Sequence, residues 1–177
     1  MNTRRFFGRA LKELLASRSI DEITVHEIVV HSGLSKSSFY NHFTDKYDLV
    51  TWMHLEDVCS LPFKMLEEEK SYREILDVLL QAHKDNRLLS VNALRSRDYN
   101  SLKGYLYKLT LDFNLRYYEL HGADLDDWET RELIAIQSKG CTACVIRWIK
   151  RECDTPVERI ADIIFRSAPA ELRACLR

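Results

Sequence analysis

The chain is predicted to be all-α, and three observations carry that prediction. Glycine and proline are scarce, five and three in 177 residues, so element interiors are rarely interrupted. No run alternates apolar and polar residues long enough to make a half-buried strand. Apolar residues recur instead at three- and four-residue steps, and helix-capping signals separate the runs. No internal repeat or low-complexity tract is present.

The first helix is expected from about Thr3 to Ala16, with Phe6, Phe7, Ala10, Leu11, Leu14 and Leu15 as its apolar stripe and Arg4, Arg5, Arg9 and Lys12 elsewhere. Thr24 followed three residues later by Glu27 is a capping box that opens a second helix, whose inner face is Val25, Ile28 and Val29. His31-Ser32-Gly33 ends it, because Gly33 is free to take the left-handed conformation a sharp exit needs. Leu34 plugs the turn, Ser35 caps a third helix running to Phe43, and Phe39 and Phe43 face inward four residues apart. Lys36, Ser37, Ser38, Tyr40, Asn41 and His42 are left on the outward surface. Thr24 to Phe43 therefore reads as a helix-turn-helix whose second helix carries the short polar, aromatic and basic side chains that suit a DNA major groove.

Asp45 caps a fourth helix with Leu49, Val50 and Met53 inside, and Pro62 should kink or end it. Ser71 and Glu74 form another capping box and open a fifth helix through about Ala82. A short helix is expected within Asn86 to Asp98, then long ones over Ser101 to Leu120 and Trp128 to Arg151, separated by a loop at His121 to Asp124. Thr155-Pro156, with Glu158 close behind, opens the last helix.

Charge and composition bound the function. The net charge is -1, but residues 1–47 hold seven Lys or Arg against five Asp or Glu, the sign expected if DNA binds at that end. Arg4 and Arg5 precede an amphipathic stretch and not an apolar one, so no signal peptide is expected, and no segment approaches eighteen consecutive apolar residues. Five cysteines, an odd number, point to reduced thiols in the cytoplasm. No paired-carboxylate site, Ser-His-Asp set or phosphate loop is offered, so the chain is not expected to be an enzyme. Nor does the sequence call for a cofactor.

The stretch ITVHEIVVHSGLSKSSFYNHFTDKYDLV resembles the tetracycline-repressor (TetR) family of bacterial regulators. It carries Thr at the helix start, Ile at mid-helix, the Gly-aliphatic-Ser turn, the recognition-helix Tyr, the closing Phe and Lys-x-x-Leu entering the fourth helix. Val29 and Ser32 depart from the pattern, which usually has Ala there. The C-terminal stretch KGCTACVIRWIKRECDTPVERIADII is similar, through Gly140, Trp148, Pro156 and Ala161, to the dimerising helix pair of a short Gram-positive subgroup that includes dihydroxyacetone-kinase operon regulators.

The resemblance implies a DNA-binding domain over 1–47 and a helical effector-binding and dimerisation domain over 48–177. It implies base-edge or groove contacts from Lys36, Ser37, Asn41 and His42, and phosphate contacts from Thr24, His26, Ser38, Tyr40 and Lys46, with Ser35 at the helix N-terminus among the DNA-binding set. It further implies a homodimeric regulator, acting as a repressor on double-stranded operator DNA and controlled by a small-molecule effector. Tyr99, Tyr105, Phe113 and Tyr117 are the aromatic candidates for an effector pocket, and Arg95, Arg97 and Arg116 for holding an anionic effector. Ile136, Gly140, Cys144, Trp148, Ile160 and Ile164 form the expected dimer face.

Two alternatives stay open at this point. The C-terminal domain could dock a protein coregulator in place of a small ligand. Cys141-x-x-Cys144 could serve as a thiol-redox or metal site, although no sheet is visible for the former and no further ligands for the latter, so no metal is expected. His54, His83 and His121 show no ligand spacing and read as single core or surface residues.

Overall fold

The computed structural model describes residues 3–94 and 102–176, and every described element is helical. The order is α1 (Thr3–Leu15), α2 (Val25–Ser32), α3 (Lys36–Tyr40), α4 (Lys46–His54), α5 (Ser60–Glu67), α6 (Tyr72–Asp85), α7 (Arg87–Leu94), α8 (Leu102–Leu120), α9 (Trp128–Lys150) and α10 (Val157–Arg166). Short 3-10 turns at Ile20–Glu22 and Ala170–Cys175 complete it. Arg95, Arg97 and Tyr99, and the expected end of the short helix, lie outside the described residues.

The local signals act as their chemistry requires. The Thr24 and Ser71 capping boxes are both complete, and Asp45 accepts from the N–H groups of Tyr47 and Asp48. Gly33 has φ 69°, the left-handed exit that a side chain would strain. α3 is shorter than expected, ending at Tyr40 and not Phe43, although Phe43 N–H still donates to Phe39 C=O at 2.9 Å. Pro62 does not end the fourth helix. The chain passes from α4 through a π-helical turn at Leu55–Cys59 into α5, and the slip in register falls just ahead of Pro62, which has no N–H to give the preceding turn.

α1 to α3 are seated on an aromatic cluster. Phe7 meets Phe39 edge-on at 5.2 Å between centroids, Phe39 lies 5.6 Å from Phe43, and Phe43 lies 5.8 Å from Trp52 of α4. The same apolar core continues through Met53 and Leu80 to Trp148 and Ile164. Asn92 of α7 donates to the C=O of Leu15, 2.6 Å away, filling one of the carbonyls that the end of α1 leaves open. Arg73 of α6 pairs with Asp77 on its own helix and with Asp162 of α10. The α9–α10 turn is closed by Trp148, whose indole N–H donates to Thr155 C=O at 2.8 Å.

The C-terminal 3-10 turn had no signal in the sequence reading. It buries Leu172 and Cys175 with Tyr118 and Ile134 in a small second core.

Candidate nucleic-acid interface and buried cavity

α3 presents Lys36, Ser37, Tyr40 and the following Asn41 to solvent, while Phe39 is fully buried beneath them. Ser35 Oγ accepts the Ser38 N–H at 3.0 Å and fixes where the helix starts. Tyr40 is about half exposed and rests edge-on against Phe39, 5.4 Å between centroids. His26 is exposed on α2, and Ser38 and His42 are half-buried. These candidate contact residues thus project from a helix whose underside is locked in aromatic packing, so their positions are set by the core.

Two of the expected phosphate-contacting residues are engaged in the fold. Thr24 Oγ1 accepts the Glu27 N–H at 3.2 Å and donates to Glu27 Oε2 at 2.8 Å, so any donation to a phosphate competes with that carboxylate. Glu27 is held firmly ionised: its bond to Arg18, 2.7 Å long, and its bonds from Thr24 lower its pKa to about 2. Lys46 donates to the carbonyls of Ile23 at 2.8 Å and Asp21 at 3.2 Å, tying the start of α4 to the entry of α2. Its charge remains at this end of the molecule, but its first role is to fix the angle between helices. A lysine six residues beyond Tyr40 gave no sign of this in the sequence.

Behind this head lies an apolar cavity of about 80 Å³ among α4, α5, α6, α8, α9 and α10. Of the expected aromatics, Phe113 lines it, whereas Tyr105 and Tyr117 do not. Tyr117 is fully buried and its hydroxyl accepts the Tyr72 N–H at 2.9 Å, which makes it a core strut. Arg116 is exposed and does not line it either. The walls include residues that the sequence reading missed, among them His54, Phe63, Tyr72, His83 and Asn114.

The two histidines are not isolated. Their rings lie 5.1 Å apart, and burial lowers His54 to a pKa of about 4 and pushes His83 well below its ordinary value, so both are neutral. Cys59 Sγ lies 3.4 Å from His54 Nδ1, and His83 Nδ1 lies 3.4 Å from Ser90 Oγ. Only the packing of the π-helical turn that follows His54 on α6 brings His54 and His83 together, and a spacing of 29 residues carries no such signal.

The expected dimer face needs correction. Trp148, Ile160 and Ile164 are buried inside the subunit, packed in its main core, and cannot meet a partner. Ile136 remains about two-thirds exposed, Gly140 would meet nothing within 4 Å if it gained a Cβ, Cys144 is half-buried, and Ile163 of α10 is about half exposed. The amphipathic stripe read from the sequence was genuine, but most of it faces the subunit's own core. Cys141 and Cys144 are free thiols inside α9. Burial raises Cys141 to about 11, the opposite of a reactive thiolate.

This is a helix-turn-helix transcription regulator, not an enzyme: residues 9–51 match the profile described as bacterial regulatory proteins, tetR family, and residues 70–169 match a transcriptional regulator C-terminal region. The chain belongs to the TetR family. It is 27% identical over 59 residues to the HTH-type dhaKLM operon transcriptional activator DhaS of Lactococcus lactis subsp. lactis (strain IL1403), a match spanning 33% of this chain and 32% of that protein. Among solved structures it is similar to dihydroxyacetone kinase operon activator DhaS, with a TM-score of 0.70 at 16% identity over 97% of this chain and 96% of that one. It is also similar to a TetR transcriptional regulator from Streptococcus agalactiae 2603V, with a TM-score of 0.59 at 19% identity over 99% and 94% of the two chains. These likenesses establish the fold. Regulators of this family bind operator DNA and dimerise, and no described helix is long and apolar enough to cross a membrane.

Proposed function

We propose that the chain acts in the cytoplasm as a homodimer that binds a specific operator through α3 and releases or engages it in response to a small molecule in the cavity. The observation that supports this most is the outward set of Lys36, Ser37, Tyr40 and Asn41 on a helix held rigidly by Phe39. Lys36, Ser37, Asn41 and His42 address base edges, and Tyr40, His26 and Ser38 address the backbone. Residues 1–47 serve as the DNA-binding domain and 48–177 as the regulatory and dimerisation domain.

The proposed partner surface is the outer side of α9 and α10. Ile136 and Ile163 supply apolar area there, and Gly140 lets a second copy's helix approach closely. The head and the cavity share α4, which starts at Lys46 and ends at His54, so a ligand that favours one setting of α4 shifts the population of head spacings.

Mobility-shift titration on the DNA flanking its own gene, across a range of salt, tests the DNA reading. Tyr40→Phe should weaken binding evenly across sequences and leave the salt slope unchanged, because its hydroxyl carries no charge, while Lys36→Ala and Asn41→Ala should relax preference at particular base pairs, by about 1–3 kcal/mol each. Even losses for all three variants would overturn the assignment. A transcriptional reporter reads the sign of regulation; the relative DhaS is named an activator, whereas repression is the outcome the TetR resemblance implies.

A further inference from the structure

Resting on the reading that the cavity is the effector site, we propose that its ligand is a compact, uncharged, largely apolar molecule that offers one hydrogen-bond acceptor, a ketone, aldehyde or ether oxygen, to Nε2–H of His54.

The chemistry of the walls narrows the choice to this class. No Lys, Arg, Asp or Glu lines the cavity among the described residues, so nothing there would compensate a charged ligand for its lost hydration. Most of the polar wall groups have their protons placed elsewhere. Tyr72 O–H donates to Asn114 Oδ1 at 3.2 Å, and the Asn114 amide donates to Ser138 Oγ at 2.8 Å. Thr110 O–H donates to Leu106 C=O at 2.9 Å, and Thr142 O–H donates to Ser138 C=O at 2.8 Å. His54 differs from them. It lines the cavity, is 1% exposed, and its Nε2 is buried without a hydrogen-bond partner. A buried polar atom in that state is costly unless something pairs with it.

The tautomer follows from the neighbour on the other ring nitrogen. Cys59 Sγ is 3.4 Å from Nδ1, and an imidazole nitrogen is a much better acceptor than a thiol sulfur. The thiol therefore donates to Nδ1, and the ring proton resides on Nε2. Burial keeps both partners in these forms, with Cys59 raised to about 12 and His54 lowered to about 4. His54 Nε2–H is then a buried donor in the wall for which the described residues supply no acceptor, which calls for one from the ligand. The volume, about 80 Å³, is smaller than the roughly 150 Å³ that accommodates benzene, so the ligand has only a few non-hydrogen atoms.

The test uses the full-length protein with 15N-labelled histidine and four probes of closely similar shape: 2-butanone, 2-methyl-1-butene, propionate and sec-butylammonium. The ketone should shift the His54 Nε2 resonance saturably, the alkene should bind at least tenfold more weakly, and the two ions should leave it unmoved. In His54→Phe the ketone's advantage over the alkene should vanish, while His54→Gln, which keeps a side-chain donor, should retain part of it. Equal binding of ketone and alkene, or tighter binding of either ion, would overturn the assignment. DNA binding measured on the same samples separates the two claims. A ketone that saturates His54 without altering operator affinity supports the ligand class and counts against the effector reading. An ion that alters operator affinity from within the cavity overturns the ligand class and leaves the effector reading standing.

Discussion

Asn92 joins the DNA-binding head to the rest of the subunit through one short bond, and its removal should be felt by the whole fold. Its amide donates across 2.6 Å to the C=O of Leu15, in a place where Asn92 is 8% and Leu15 1% exposed. Asn92→Ala leaves that carbonyl buried and unpaired, at a cost of about 1–3 kcal/mol. For a chain of this size a loss of about 2 kcal/mol lowers Tm by roughly 4–8 °C. Asn92→Asp should be worse, because it directs a carboxylate at the negative end of α1. Arg87→Ala is the control: it removes only an exposed ion pair to Glu152, so its effect should stay within about 0.5 kcal/mol. Thermal melts by circular dichroism, repeated in urea, measure all three. An Asn92→Ala protein that melts within a degree of wild type, or an Asp variant no less stable than the Ala variant, would refute the reasoning.

Four further outcomes follow from the same geometry. Thr24→Ala removes both hydroxyl bonds of the α2 capping box and should lower stability by about 1 kcal/mol, read in urea unfolding. Gly140→Ala should raise helix propensity by about 1 kcal/mol without a clash in the subunit, yet weaken self-association in sedimentation if a partner helix packs there; unchanged association would remove Gly140 from the interface. Ile163→Glu should give folded monomers, whereas Ile164→Glu should unfold the chain because Ile164 is buried, and near-ultraviolet circular dichroism separates the two. His54 stays neutral in the fold, with a pKa of about 4 against an ordinary 6.5. Its contribution is therefore complete above pH 6.5 and is lost as pH falls toward 4, by about 3 kcal/mol. A His54→Phe variant should lose less stability than wild type over that window, and equal losses would contradict the burial argument.

The head was legible in the sequence because its signals are local. Thr24 with Glu27, Gly33, Ser35 and the Phe39–Phe43 pair each act within one turn of helix, and each does in the structure what its chemistry suggests. Periodicity found α6, α8 and α9 for the same reason. What failed depended on which neighbour an apolar face meets. The stripe through Trp148, Ile160 and Ile164 has the same spacing whether it packs on its own core or on a second copy, and only the packing of α10 on α6 and α9 decides it. The cavity was similarly out of reach, since His54 precedes and Cys59 ends a π-helical slip that no helical period anticipates. Lys46 reads as a free cation until the carbonyls of Asp21 and Ile23 are brought to it by the fold.

The claim that α3 reads DNA is tested most directly by selection from a pool of randomised duplexes, sequenced after rounds of capture by the full-length protein. Wild type should enrich a two-fold symmetric site whose half-sites lie about one helical turn apart, roughly 34–36 Å. Asn41→Ala and Lys36→Ala should each broaden the preference at one or two positions within both half-sites and leave the spacing unchanged. A wild-type pool that gains no symmetric motif, or variant pools identical to the wild type's, would contradict the account.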